Sequence, residues 1–156
     1  MNAKLANTAR NRALAGDGER RKLYCARWVR QCIEVRYGTR YDGILRAQDP
    51  QGRTTARASA LKWLALSKAG KLPEGVTVIH SRDVADTQLG DVLYCTEGHG
   101  PYGHVGIRTW GNRMAENTVR RSFPSAGTKG ELGYTHGHIA FSALTSFGFD
   151  VIVRLP

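Results

Sequence analysis

The sequence predicts an α+β domain with N-terminal helices packed on a small antiparallel β-sheet. Three observations predict it. The first half of the chain carries apolar residues at helical spacing, and the second half carries short β-branched or aromatic runs separated by turn residues. Helices that precede strands, rather than alternate with them, favour segregated layers and an antiparallel sheet. A length of 156 residues suits one domain, 1–156, with a real hydrophobic core.

The elements follow in order. Residues 3–15 (AKLANTARNRALA) are helix-prone and basic, and the Gly-Asp-Gly at 16–18 breaks the chain, so 1–18 reads as a basic helical extension. Residues 19–38 read as a strong helix. Cys25, Trp28, Val29, Cys32 and Ile33 fall at i, i+3, i+4, i+7 and i+8, which makes one apolar stripe. Gly38 is placed to end that helix. Residues 39–53 read as a loop and 54–70 as a second helix, with Gly70, Pro73 and Gly75 marking its stop. Strands are expected at 76–80 (VTVIH), 91–95 (DVLYC), 104–110 (HVGIRTW), 113–119 (RMAENTV) and 149–156 (FDVIVRLP).

Composition narrows the class. The chain is 41% hydrophobic and 23% charged, as in a globular protein, and no apolar run approaches a membrane span. The N-terminus lacks the apolar core of a signal peptide, so synthesis in the cytoplasm is expected. The net charge of +10 is uneven, with ten Lys/Arg against three Asp/Glu in residues 1–40. Such a surface either attracts a polyanion (nucleic acid, a membrane surface or an anionic cell wall) or is a solvated basic helical face. The three cysteines, Cys25, Cys32 and Cys95, argue against a disulfide framework. Cys25 and Cys32 are separated by about 10 Å of helical rise, too far for a bridge. Free thiols are expected, one of them a candidate nucleophile.

The segment GHGPYGHVGI at 98–107 carries the chemistry. His104 sits where a Gly-rich loop enters an apolar strand, a place suited neither to turn chemistry nor to core packing. A cysteine attacks as thiolate, and a nearby imidazole stabilises that form. Cys25 lies early in its helix behind Arg20, Arg21 and Lys22, all favourable to a thiolate. Against this, Cys25 belongs to the apolar stripe, and buried cysteines are ordinary core residues. Cys95 ends a strand beside the His99–His104 loop and is the rival nucleophile.

A histidine base needs an acceptor on its other ring nitrogen. Residues 104–117 look like a hairpin. A three-residue loop at 110–112 pairs Gly106 with Glu116 and puts Glu116 on the face of His104. A two-residue loop at 111–112 pairs Gly106 with Asn117 instead. Asn112 suits the left-handed residue that closes the three-residue loop, which favours Glu116.

These residues resemble a known family. YCARWVRQ, QLGDVLYC, YGHVGI and NRMAEN, in that order, resemble the papain-like cell-wall cysteine peptidases and amidases of the NlpC and CHAP type. The resemblance covers about residues 22–120 and implies a papain-like fold. It implies Cys25 as nucleophile, His104 as base and Glu116 as the third residue, with Asn117 beside it. Asn117, Tyr102, His99, Tyr24 and Trp28 are the implied substrate contacts. The implied reaction is hydrolysis of a peptidoglycan amide bond, without a cofactor, at the cell wall after release or delivery. The basic surface suits the anionic wall. The segment before Cys25 (GERRKLY) and the region 39–75 depart from the family pattern.

Three other readings stand beside it. Trp28, Trp63, Trp110 and six tyrosines on a basic chain suit nucleic-acid binding by phosphate contact and stacking. Cys95, His99 and His104, with His136 and His138, offer metal ligands, but at no common zinc spacing. An inactive relative that only binds the wall would keep the same residues.

Overall fold

The computed structural model describes residues 1–16, 24–117 and 139–156. Its elements are α1 (Ala3–Ala15), α2 (Tyr24–Tyr37), α3 (Asp42–Leu45), α4 (Ala56–Lys68), β1 (Thr77–His80), a 3-10 turn (Val84–Asp86), β2 (Val92–Cys95), β3 (His104–Thr109), β4 (Arg113–Asn117), β5 (Ile139–Ala143), α5 (Leu144–Phe147) and β6 (Val151–Arg154). The six strands form one antiparallel sheet in the order β1-β6-β2-β3-β4-β5. This is the α+β architecture that the sequence predicts.

The stripe on α2 behaves as its spacing requires. Trp28, Val29, Cys32 and Ile33 are buried and face β3 and β4. Burying each large apolar side chain contributes about 1.5–3 kcal/mol. Helix α1, read as an extension, packs on α2, β3 and β4 with Leu5, Ala6, Ala9 and Ala13 fully buried. Its alanines let the helix lie close to its neighbours. Helix α4 is capped by the Thr55 side chain, which accepts from the Ala58 N–H at 3.0 Å, and covers β1 and β2.

Side chains alternate across the sheet. Val92, Tyr94, Val105, Ile107, Ala115, Phe141, Val151 and Val153 join the core under the helices. Leu93, Cys95, Met114 and Ile152 point the other way and are covered by Leu144, Phe147 and Phe149. No described helix is long and apolar enough to cross a membrane.

The structure goes beyond the sequence reading at three points. The 39–53 loop holds the short helix α3 and a bridge between Gln48 and Thr54. Strand β5 and helix α5 carry no clear sequence signal, because the segment 139–147 is short. The C-terminal strand β6, whose place in the sheet the sequence leaves open, is inserted between β1 and β2. The expected helix start at residue 19 and the end of the 113–119 strand lie outside the described residues.

Candidate active site

The β3–β4 hairpin sets the geometry. Gly106 pairs with Glu116 and Arg108 with Met114, the register of a loop at 110–112. Asn112 adopts the left-handed conformation, with φ 53°. His104 and Glu116 therefore share a face, two residues apart along the ladder. Gly106 between them has no side chain, and a Cβ there would lie 2.6 Å from the Met114 Cε and 2.8 Å from the Ala115 carbonyl oxygen.

The His104 Nε2 is hydrogen-bonded to the Glu116 Oε2. The second Glu116 oxygen, Oε1, accepts a hydrogen bond from the Ser142 hydroxyl on β5. The Cys25 side chain on α2 interacts with the His104 imidazole by hydrogen bond and charge. With Nε2 turned to Glu116, Nδ1 is the nitrogen left for the thiol.

Charge in this cluster is stabilised mutually. Burial opposes a charged His104, but hydrogen bonds and charge interaction with Cys25 and Glu116 outweigh it and push its pKa up to about 10. Burial likewise opposes a charged Glu116, but hydrogen bonds from His104 and Ser142 and the charge of His104 hold its carboxyl below the usual range. Both directions favour an imidazolium–carboxylate pair.

Cys25 is the second residue of α2 as bounded here and is 9% exposed, at the end of the apolar stripe. It is both a stripe residue and the thiol beside His104. The rival Cys95 is wholly buried, and its thiol donates to the Phe147 carbonyl oxygen at 3.3 Å. Burial, then the nearby charges of Asp150 and Glu116, pushes its pKa far up. It is a poor nucleophile there. Cys32 is also buried, with the Arg12 Nη1 3.8 Å from its sulfur.

The loop before His104 is held from three sides. Asp150 accepts from the Thr96 N–H at 2.9 Å and from the Thr96 hydroxyl. The Arg57 side chain donates to the Thr96 carbonyl oxygen, from Nε at 2.8 Å, and its backbone N–H donates to that of Tyr102 at 2.9 Å. The Arg53 guanidinium lies 4.7 Å from the Tyr102 ring centroid and donates to the Tyr102 hydroxyl at 3.0 Å. Gly103 closes the loop at φ +65°, where a Cβ would lie 2.6 Å from the Cys95 carbonyl oxygen. None of these anchors was legible in the sequence, because each joins residues far apart in the chain.

The expected substrate contacts divide. His99 is exposed and stacks on His104, with ring centroids 5.3 Å apart, while its Nε2 donates to the Phe147 carbonyl oxygen at 3.0 Å. Tyr102 is half-buried on the same loop. Tyr24 is buried, with the Arg27 guanidinium 5.5 Å from its ring. Trp28 is 0% exposed and Asn117 is 1% exposed. Neither presents a surface to a substrate; Trp28 is a core residue under the sheet, and Asn117, one residue past Glu116, faces the helices. Phe147, which the sequence did not single out, packs 5.4 Å from His104 and 5.6 Å from His99. Of the suggested metal ligands, His136 and His138 lie outside the described residues.

Searches of protein-family models and of curated proteins find no match. Two solved structures are similar in fold. One is the crystal structure of Ly7917 with the hydrolysing product of MDP, at 17% identity and TM-score 0.53, with 98% of this chain and 62% of that chain covered. The other is the wild-type endolysin LysIME-EF1, at 18% identity and TM-score 0.54, with 99% and 65% covered. This chain thus spans less than two thirds of the length of either. At such identities the likeness is one of fold.

Proposed function

We propose that the protein is a papain-like cysteine hydrolase of the NlpC and CHAP type that cleaves an amide bond in peptidoglycan. The observation that carries this reading is the meeting of Cys25, His104 and Glu116 at the mouth of the β3–β4 hairpin. The fold it shares with an endolysin, and with a protein solved with a product of MDP, supports the substrate class.

In this mechanism the Cys25 proton already rests on His104, and the sulfur attacks the amide carbonyl as a thiolate beside the imidazolium. The Cys25 backbone N–H helps hold the oxyanion. His104 then gives its proton to the leaving amine, and a thioester remains. Water, deprotonated by His104, hydrolyses the thioester to a carboxylate and frees the thiol. Glu116 fixes the ring tautomer and stabilises the imidazolium. His99 and Tyr102 on the 96–103 loop form one wall of the groove. No cofactor enters the reaction. The site of action is the cell wall, reached after release or delivery, with the basic surface holding the anionic polymer.

The test is incubation of purified walls with the protein and with Cys25→Ala. Soluble fragments bearing new amino groups, released only by the native protein, are the expected result. Mass analysis of the fragments then separates stem-peptide or cross-bridge cleavage from N-acetylmuramoyl-L-alanine amidase activity. A protein that sediments with walls but releases nothing is instead a basic binding module, a reading with which the charge of +10 is also compatible.

A further inference from the structure

Glu116 is a carboxylate on an apolar sheet face. Its neighbours on that face include Met114, Leu93 and Cys95, and Leu144 and Phe147 cover it. A buried carboxylate is costly unless both oxygens find donors. His104 supplies one. The other comes from β5: Ser142 pairs with Met114, so its side chain stands on the Glu116 face, diagonal to Glu116 across the β4–β5 ladder. Its hydroxyl donates to Oε1 while the His104 Nε2 takes Oε2.

We propose that Ser142 is a positioning residue of this site, which keeps Glu116 ionised and aimed at His104. The proposal rests on the cysteine-hydrolase reading for its catalytic meaning, but its physical content does not need a substrate. A carboxylate bonded at only one oxygen can rotate away from the imidazole. Bonded at both, it presents Oε2 to Nε2 in one orientation. A hydrogen bond to the charged form also favours that form, so its loss raises the carboxyl pKa. Among the described residues, the other titratable groups acting on this cluster are His99 from the loop, Cys95 from β2 and Cys25 from α2. The hydrogen bond at Oε1 comes from Ser142.

The test compares native protein with Ser142→Ala and Ser142→Thr. Threonine keeps the hydroxyl and suits a strand. The direct readout is carbon-13 NMR of the Glu116 carboxyl across pH. The expected result is titration at higher pH in Ser142→Ala by about one unit, the equivalent of a tenfold change in proton affinity, with native titration restored in Ser142→Thr. In wall hydrolysis, the acid limb of kcat/KM should move up with it in Ser142→Ala, with KM unchanged. Mere packing damage would lower activity at all pH values and leave the limb in place. If Glu116 titrates identically in Ser142→Ala and native protein, the proposal is overturned, whatever the activity. If the native protein releases no wall fragments, the hydrolase reading fails, and the NMR titration still decides the role of Ser142.

Discussion

The Nε2 of His104 is hydrogen-bonded to the Oε2 of Glu116 across the β3–β4 ladder, over the bare backbone of Gly106. That contact leaves the other ring nitrogen for Cys25 and, together with Cys25, favours the charged imidazole. Its first consequence concerns Glu116→Gln. The amide keeps the shape and much of the hydrogen bonding but removes the charge. Wall hydrolysis should fall by roughly ten-thousandfold, as when a triad carboxylate is replaced by its amide. The alkaline limb of the pH profile should move down, because His104 loses part of what raises its pKa. Native activity in Glu116→Gln would rule out the triad.

The three thiols should differ sharply in reactivity. Cys25 is buried but keeps 9% exposure beside His104, whereas Cys32 and Cys95 are wholly buried. Iodoacetamide at neutral pH, read by peptide mapping, should label Cys25 first. Its rate should drop about tenfold or more in His104→Ala, which removes the base from the pair. Preferential labelling of Cys95 would mean that the nucleophile is elsewhere.

The ionised pair also makes stability depend on pH. The His104 pKa is raised from 6.5 to about 10, so its contribution is fully present below about 6.5 and is lost as pH rises through about 10. The Glu116 pKa is lowered from 4.5, so its contribution is present above about 4.5 and is lost as pH falls through the lowered value. Both are complete only between about 4.5 and 6.5. Thermal midpoints should decline from there toward pH 10, and the decline should flatten in His104→Gln. An unchanged alkaline slope in that variant would assign the effect to other groups.

Gly103 and Gly100 offer a matched pair for the loop. Both have positive φ, but a Cβ at Gly100 meets nothing within 4 Å, while at Gly103 it lies 2.6 Å from the Cys95 carbonyl oxygen and 3.1 Å from the Arg57 nitrogen. Gly100→Ala carries only the left-handed strain, about 1–2 kcal/mol. Gly103→Ala adds a backbone clash directly before His104. Its melting temperature should fall further than that of Gly100→Ala, and wall hydrolysis should fall with it. Equal effects of the two substitutions would show that the close approach at Gly103 does not matter.

Local patterns were sufficient for much of this fold. The i, i+3, i+4 stripe on α2, the helix over 56–68 and the strands at β1, β2, β3, β4 and β6 each follow from side-chain period and turn residues within about fifteen positions. The hairpin register also follows locally, because Asn112 can adopt the left-handed turn conformation and strand alternation then puts Glu116 on the face of His104. Trp28 shows the limit of such reading. It sits in the same stripe as Cys25, yet Trp28 is 0% exposed in the core while Cys25, at 9%, interacts with His104. Periodicity gives the face of a helix but not where along it the protein surface begins.

The order of strands, the place of β6 between β1 and β2, and the arrival of Ser142 at Glu116 were decided only by the tertiary structure. So were the three anchors on the loop before His104, from Asp150, Arg57 and Arg53, and the burial that distinguishes Cys95 from Cys25. The physical reason is common to all of them. The sequence by itself determined which residues can form helices, strands and turns, and which side chains share a face, because those follow from short-range sterics and hydrophobic period. Pairings between distant segments depend on which faces must be buried together, and no local period encodes that choice.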